Sequence, residues 1–427
     1  MFNTIKEFVK KKTFRDLNIV FIENIFSKGF NFILIILIAR TLGPEQYGIF
    51  SFVTVSILFL NMFLNFGMEN TAICFSGRYN NKSYEIFGAY FLFRTATLII
   101  LLLFILFYPT LTATLLSKSQ IEKLLYIIFI GCVVESYQYV ITTYLQFQEK
   151  FFLRAVINAG VYLIRLLSIL ILLRLSISDV RIISLFFALG GVPFVLAFAK
   201  YFVVFLKKFT SNGIGGNLFK EILHYAKWII FAAVATQIMT RLDFYVVTAL
   251  LSFREAGLYN SALQLVFPLA ILQMVFSQVF FPKVSKYTNI KQIKDYISRI
   301  ALLGFIVLII VILSLPFCRS IVLLLFGNDY LASSGVFKLL LISSLFTFVN
   351  VMLSLVLYAL GYSRYMAVGS YIHLGIFILF VFSFIQKWGM MGVAASKLIA
   401  DIGYLVFVCV YLGKIIFKLE SKSAALT

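Results

Sequence analysis

Apolar residues run through this chain in long blocks of about twenty, and the polar residues inside those blocks recur three or four apart. About 20 apolar residues carry a helix across a bilayer. Twelve such segments are present, at 17–39, 48–67, 86–107, 122–145, 155–174, 183–205, 228–250, 257–281, 297–317, 335–359, 366–385 and 390–412. The runs are continuous rather than alternating, which excludes a transmembrane β-barrel. The pattern predicts an all-α integral membrane protein with about twelve transmembrane helices. The longest hydrophilic stretch, Lys207 to Lys227, is too short to fold alone.

The polar positions fall on helical faces. In the first segment Asn24, Lys28 and Asn31 stand at i, i+4 and i+7. Tyr90, Arg94 and Thr97 repeat that spacing in the third segment, and Asn158, Tyr162 and Arg165 do so in the fifth. The fourth carries Glu135, Gln138, Thr142 and Gln146; the second carries Asn61, Asn65 and Glu69. In the seventh, Gln237 and Arg241 lie one turn apart beside Thr236 and Thr240. One polar residue in a span is ordinary glue between helices. Stripes on six helices point instead to a shared aqueous lumen.

A charge at mid-bilayer costs roughly 2.5–3.5 kcal/mol even on the mildest scale. Five cations, Lys28, Arg94, Arg165, Arg241 and Lys397, and four anions, Glu23, Glu135, Asp243 and Asp401, incur that cost unless they face water, cargo or one another. The cationic excess marks the five as candidate contacts for an anionic head group, since a guanidinium grips phosphate with a bidentate fork. The four carboxylates are candidates for ion coupling. A structural ion pair remains open for each charge. Lys397 and Asp401, four apart, are placed to pair with each other; Arg241 and Asp243, two apart, are not. Tyr90 and Tyr162 lie on the stripes, where they either stack on sugar rings or simply pack.

Composition agrees: 62% of residues are apolar and the mean hydropathy is +1.01. The net charge of +20 suggests nucleic acid at first, but the positive-inside rule accounts for it better. With an inside N-terminus and twelve spans, inner loops and tails hold 22 of the 37 Lys and Arg and outer loops nine. Both termini are therefore expected in the cytoplasm, with no nucleic-acid partner. The first apolar run follows Lys10-Lys11-Lys12 and is long, so it reads as a retained span rather than a cleaved signal. Cys74, Cys132, Cys318 and Cys409 form no CxxC pair, and His224 and His373 have no metal-ligand spacing, so no metal or cofactor is expected.

The chain repeats itself once. Glu45-Gln46-Tyr47-Gly48-Ile49-Phe50-Ser51 follows segment one, and Arg254-Glu255-Ala256-Gly257-Leu258-Tyr259-Asn260 follows segment seven. The offset also superimposes segments one and seven. Six plus six segments place both halves in the same orientation, a parallel repeat about an axis along the membrane normal. The expected organisation is an N-terminal six-helix bundle at 1–206, a cytoplasmic linker at 207–227 containing Ser211-Asn212-Gly213 and Gly215-Gly216, and a C-terminal six-helix bundle at 228–427. Pro193, after Gly190-Gly191, and Pro268 lie inside spans and are candidate hinges or static kinks.

One stretch looks familiar. Ala39-Arg40-Thr41-Leu42-Gly43-Pro44-Glu45-Gln46-Tyr47-Gly48-Ile49-Phe50-Ser51, with Phe66-Gly67 and Arg78-Tyr79, resembles the bacterial polysaccharide-export family. The likeness points to O-antigen flippases of the Wzx type, in the multidrug/oligosaccharidyl-lipid/polysaccharide exporter superfamily. It implies movement of an undecaprenyl-pyrophosphate-linked oligosaccharide from the cytoplasmic to the periplasmic leaflet of the bacterial inner membrane. It also implies alternating access of two six-helix bundles driven by an ion gradient, with membrane lipids, a polysaccharide polymerase and a chain-length regulator as further partners. Lipid II flippase relatives carry an arginine in the part of helix 1 where Lys28 stands. They generally have two further helices, a departure that weighs against a peptidoglycan role.

Two other readings compete. A cation-coupled drug exporter of the same superfamily would favour a neutral or anionic cavity. A membrane polysaccharide polymerase would need a large outer loop and a set of acid, base or phosphate-handling residues, and neither is visible. The topology is directly checkable. Reporter fusions after Lys82, Lys208 and Lys422 are expected to report cytoplasm, and fusions after Lys118 and Arg254 periplasm. A consistent reversal at these sites would refute the arrangement.

Overall fold

A computed structural model describes residues 12–65, 68–107, 121–212, 234–284, 290–360 and 362–424. Phe66-Gly67, residues 213–227 of the expected linker with His224, Lys6, Lys10 and Lys11, and the first residues of segment 228–250 lie outside these. The described residues contain helices and turns and no strand.

In chain order the helices are α1 (Lys12–Asn65), α2 (Met68–Arg78), α3 (Ser83–Phe107), α4 (Ile121–Phe147), α5 (Phe151–Arg174), α6 (Val180–Leu189), α7 (Val192–Ala197) and α8 (Ala199–Asn212). Then come α9 (Leu242–Leu250), α10 (Phe253–Val284), α11 (Ile290–Ser314), α12 (Cys318–Phe326), α13 (Ser333–Ala359) and α14 (Ser363–Ala424). Nine stretches among the described residues are long and apolar enough to cross a membrane. Two of these run for 48 and 54 residues, twice the length one crossing needs. Each is divided by a glycine with positive φ, Gly43 (φ 74°) in α1 and Gly389 (φ 55°) in α14. A side chain disfavours that conformation, so glycine lets the chain turn back there. Each long helix thus supplies two crossings. Residues 234–250, interrupted at Thr240-Arg241, supply a further one and complete the twelve crossings expected from the sequence.

The surface explains why these helices need a bilayer. Leu302, Leu313, Leu324, Leu379 and Phe417 are largely exposed, on helices whose outward faces are apolar almost throughout. No soluble protein leaves such a surface to water. Among the described residues the helices close their own backbone hydrogen bonds outside their breaks, as the hydrocarbon requires.

The chain divides into two compact units. One comprises Met1–Leu42 and Ile49–Phe231; the other comprises Gly43–Gly48 and Ala232–Thr427. The interior of the first is built on aromatic rings. Phe87, Tyr144 and Phe205 pack at centroid distances of 5.0–5.9 Å, edge-on or stacked, in a core shared by α2, α3, α4 and α8. Gly88 lets α8 approach α3 closely: a Cβ there would sit 2.7 Å from the Phe205 carbonyl oxygen. In the second unit α13 is the post, with residues buried on most of its faces against α10, α11 and α14.

The repeat motif has a packing reason. Inside the second unit Gly48 and Gly257, the matched glycines, meet backbone to backbone. A Cβ on Gly48 would lie 1.7 Å from the Phe253 carbonyl oxygen, and one on Gly257 2.0 Å from that of Pro44. Asn260 Nδ2 donates to the Tyr47 hydroxyl at 2.9 Å nearby. Only glycine fits at both places. Gly48→Ala is therefore expected to lower the thermal midpoint of the detergent-solubilised protein by the equivalent of about 1–3 kcal/mol. Gly29→Ala, which meets no atom within 4 Å, should leave it unchanged. Equal midpoints for both variants would refute the close contact.

Candidate functional site

The embedded charges gather into buried polar clusters, and each cluster lies within one unit. In the first unit the organising event is a broken helix. The sixth span is three short helices because Gly190-Gly191 ends α6, Pro193 occupies the first turn of α7, and a second break follows at Phe198. At the break the Phe187 carbonyl accepts the Gly190 N–H, three residues on, at 3.3 Å, and Arg165 Nε donates to it as well at 2.9 Å. Arg165 Nη2 then reaches Glu135 Oε1 at 3.0 Å. Its guanidinium carbon stands 4.0 Å from the Phe187 ring centroid and 5.4 Å from that of Tyr162. Gly190 makes room for it, since a Cβ there would sit 2.4 Å from Arg165 Cγ. Arg165 is only 2% exposed.

Arg94 is the second buried arginine. Its Nη1 donates to the Asn61 carbonyl at 3.2 Å, and the Asn61 side chain accepts from Ser136 at 2.7 Å. Tyr90 and Tyr139 approach the guanidinium at 5.8 and 5.6 Å. The Tyr90 hydroxyl donates to Asn65, so this tyrosine packs in the aromatic core and is not available to a sugar. Arg94 Nε has no hydrogen-bond acceptor among the described residues. Glu23 is held by Asn158, whose Nδ2 donates to Oε1 at 2.5 Å, and Gln138 donates to Asn158 in turn. Lys28 is half-buried one turn beyond Asn24 on the same stripe.

The second unit places Asp243 in the first turn of α9, where the helix dipole favours an anion. Lys397 Nζ lies 2.5 Å from Asp243 Oδ2, and the Tyr259 hydroxyl donates to the same oxygen at 3.1 Å. This corrects the sequence expectation for Lys397. Its neighbour by spacing, Asp401, is one turn along the same helix, but the ammonium turns to a different helix, 154 residues away in the chain. Asp401 accepts from Ser343 and lies 3.0 Å from His373 Nε2, while Asn350 donates to its backbone carbonyl. Arg241 caps α9 at the Thr240-Arg241 break and is half-buried. As spacing required, it makes no ion pair with Asp243; among the described residues none is found for it.

Of the two prolines, Pro193 sits at a real discontinuity. Pro268 lies within α10, which runs on unbroken in assignment from Phe253 to Val284, at an exposed position. Several participants escaped sequence reading: Phe187, Ser136, Tyr259, Ser343, Asn350 and His373. Their partners lie 16 to 75 residues away in sequence. His373, the polar residue at the middle of the eleventh segment, was the one visible signal. Among the described residues no three His, Cys, Asp or Glu side chains are grouped to hold a metal ion.

These features define a polytopic all-α membrane transporter fold. A family model described as "Polysaccharide biosynthesis protein" matches residues 14–288, well over half of the chain, and the chain belongs to that family. A Shigella flexneri protein assigned as an O-antigen transporter is 21% identical over 180 residues, 42% of this chain. The match spans 43% of that protein, less than half its length. Among solved structures, the lipid II flippase MurJ in an inward closed conformation superposes with a TM-score of 0.76 at 15% identity, covering 95% of this chain and 90% of that one. An inward-facing multidrug resistance MATE family transporter of the MOP superfamily also gives 0.76, at 14% identity, covering 97% and 100%. At such identities these two similarities establish the fold alone.

The buried Arg165–Glu135 pair predicts a stability phenotype. Removing one partner strands a charge in the interior at a cost of about 3–5 kcal/mol. Arg165→Ala and Glu135→Ala should each sharply reduce membrane abundance, while the double variant Arg165→Met, Glu135→Leu should recover much of it. Additive losses in the double variant would show that the two side chains do not act as a pair.

Proposed function

We propose that this chain is a flippase that carries an undecaprenyl-pyrophosphate-linked oligosaccharide, an O-antigen or similar repeat unit, from the cytoplasmic to the periplasmic leaflet. In this reading it sits in the bacterial inner membrane with both termini in the cytoplasm and works by alternating access coupled to an ion gradient. One observation carries the reading: a member of a polysaccharide biosynthesis family holds five cations inside its spans. A head group with two phosphates is the cargo in that chemistry that such cations suit.

The five cations divide the work. Arg94, Arg165 and Lys397 are engaged with carbonyls, carboxylates and rings of their own unit. They hold the polar interior of each unit together. Lys28 of the first unit and Arg241 of the second are half-buried, and each, taken on its own unit, is assigned as a contact for a phosphate of the cargo. Glu23, Glu135, Asp243 and Asp401 are the carboxylates through which ion coupling would run. A polymerase and a chain-length regulator would receive the exported unit.

A cation-coupled drug exporter shares the fold and is the alternative; its cargo is positive and would be repelled by Lys28 and Arg241. A catalytic polymerase is disfavoured, because the named clusters are not arranged as nucleophile and base.

Export in cells tests the assignment. In a strain whose own gene is deleted, Arg241→Ala and Lys28→Ala should each cut surface polysaccharide by roughly ten- to a hundred-fold, the value of a charge-assisted hydrogen bond. Membrane abundance should stay near that of the unaltered protein. Arg241→Lys should restore part of the export if charge suffices, and little if the guanidinium fork is required. Full export by both alanine variants would refute the cationic contact.

A further inference from the structure

Among the described residues, His373 is a largely buried ionisable side chain that has so far been given no role. It lies in the first arm of α14, ten residues or about 15 Å from the helix start at Ser363, and so deep in the span. Its Nε2 is 3.0 Å from Asp401 Oδ1 on the second arm of α14, within ion-pair distance though not aligned as a hydrogen bond. The imidazole stacks on the Tyr404 ring at 5.2 Å and 19°, which fixes its plane. The other carboxylate oxygen of Asp401 takes the Ser343 hydroxyl, and Asn350 Nδ2 donates to the Asp401 carbonyl at 3.0 Å. Asp401 is thus clamped between α13 and both arms of α14 and is 3% exposed.

The neighbours complete the electrostatic picture. From the second arm of α14 come Lys397 and Tyr404, and from α9 comes Asp243, paired with Lys397. From α10 comes Tyr259, bonded to Asp243 and within electrostatic reach of Asp401. From α13 come Ser343, Asn350 and Ser354, the last bonded to Tyr404 together with Ser370 of the first arm. The charged members are therefore Asp243, Asp401, Lys397 and His373. With a neutral imidazole the cluster carries one net negative charge. With an imidazolium it carries none. A buried cluster in hydrocarbon is tolerable when its charges balance and costly when they do not. Histidine is the side chain that ordinarily changes charge between about pH 5 and 8.

We propose that the His373–Asp401 pair is a one-proton site and that a proton bound there is the coupling ion of transport. The proton attaches to the imidazole, forming an N–H bond and a charge-balanced imidazolium–carboxylate pair that stays closed. Loss of that proton to water leaves an unbalanced carboxylate, which favours a state in which the pair is hydrated. The protonation state thereby biases one conformation over another by differential stability, which is all that coupling requires. The inference rests on the flippase reading for its cargo but not for its proton.

Two measurements on the purified full-length chain test it separately. The first counts protons with a pH-indicating dye in weakly buffered detergent as the pH falls from 8 to 5. The unaltered protein should take up about one more proton than His373→Gln. An equal uptake would overturn the proposal, since the imidazole would then keep one charge throughout. The second measures the leaflet distribution of an undecaprenyl-pyrophosphate oligosaccharide in proteoliposomes under an imposed proton or sodium gradient. One coupled proton shifts that distribution by up to about ten-fold per pH unit. His373→Gln and Asp401→Asn should abolish the shift. A shift that survives in both variants, or an unaltered protein that answers to sodium alone, would overturn the coupling role. Because the sodium arm uses the unaltered protein, misfolding of a variant does not decide the matter. Should the lipid-linked saccharide not move at all while the proton count still falls in His373→Gln, the flippase reading would fail and the proton site would stand.

Discussion

Everything in this molecule answers to the cost of placing charge in hydrocarbon. Each embedded ion stands to lose several kcal/mol unless something compensates it. Arg165 is compensated by Glu135, a backbone carbonyl and two rings. Asp243 is compensated by Lys397, a tyrosine hydroxyl and the start of α9. Glu23 is compensated by Asn158. Each of these clusters is built within its own unit, so each unit can keep its charges satisfied as a body.

Helix breaks and charges belong together here. A continuous helix offers few free backbone groups, so a buried ion there relies mainly on side chains. Breaking the sixth span at Gly190-Gly191 leaves a carbonyl to Arg165. Breaking the seventh at Thr240-Arg241 creates a new helix start beneath Asp243. In the sixth span glycine and proline therefore do more than bend the helix: they supply polar backbone that lets an ionisable residue sit at membrane depth. Glycine acts differently at Gly48 and Gly257, where its missing side chain lets two backbones touch.

Much of this was legible in the sequence. Twelve segments follow from hydropathy because the bilayer imposes length and apolarity on each one separately. The stripes of Asn24-Lys28, Tyr90-Arg94 and Tyr162-Arg165 follow from the helical period, again a local property. The partners of the charges did not follow. Lys397 stands one turn from Asp401 yet pairs with Asp243, because helical spacing makes the local pair possible while packing decides which carboxylate the ammonium meets. Nor did periodicity show that Arg94 and Arg165 turn inward within one unit, a matter of which face each helix gives to its neighbours. His373 was visible as a polar residue in a span, but its meaning depends on Asp401, Ser343 and Tyr404, which only the fold assembles. Where a charge sits can be read from one helix; what it touches requires the others.

Of the embedded cations, the half-buried Lys28 and Arg241 are proposed to receive an anionic lipid-linked cargo. Native mass spectrometry of the purified protein in lipid nanodiscs offers the most direct measurement. Undecaprenyl pyrophosphate, undecaprenyl phosphate and a cationic amphiphilic dye would be presented in competition. The account predicts that the pyrophosphate lipid is retained in preference to both, and that Arg241→Ala loses this preference. Retention of the cationic dye with no retention of the pyrophosphate lipid would contradict it.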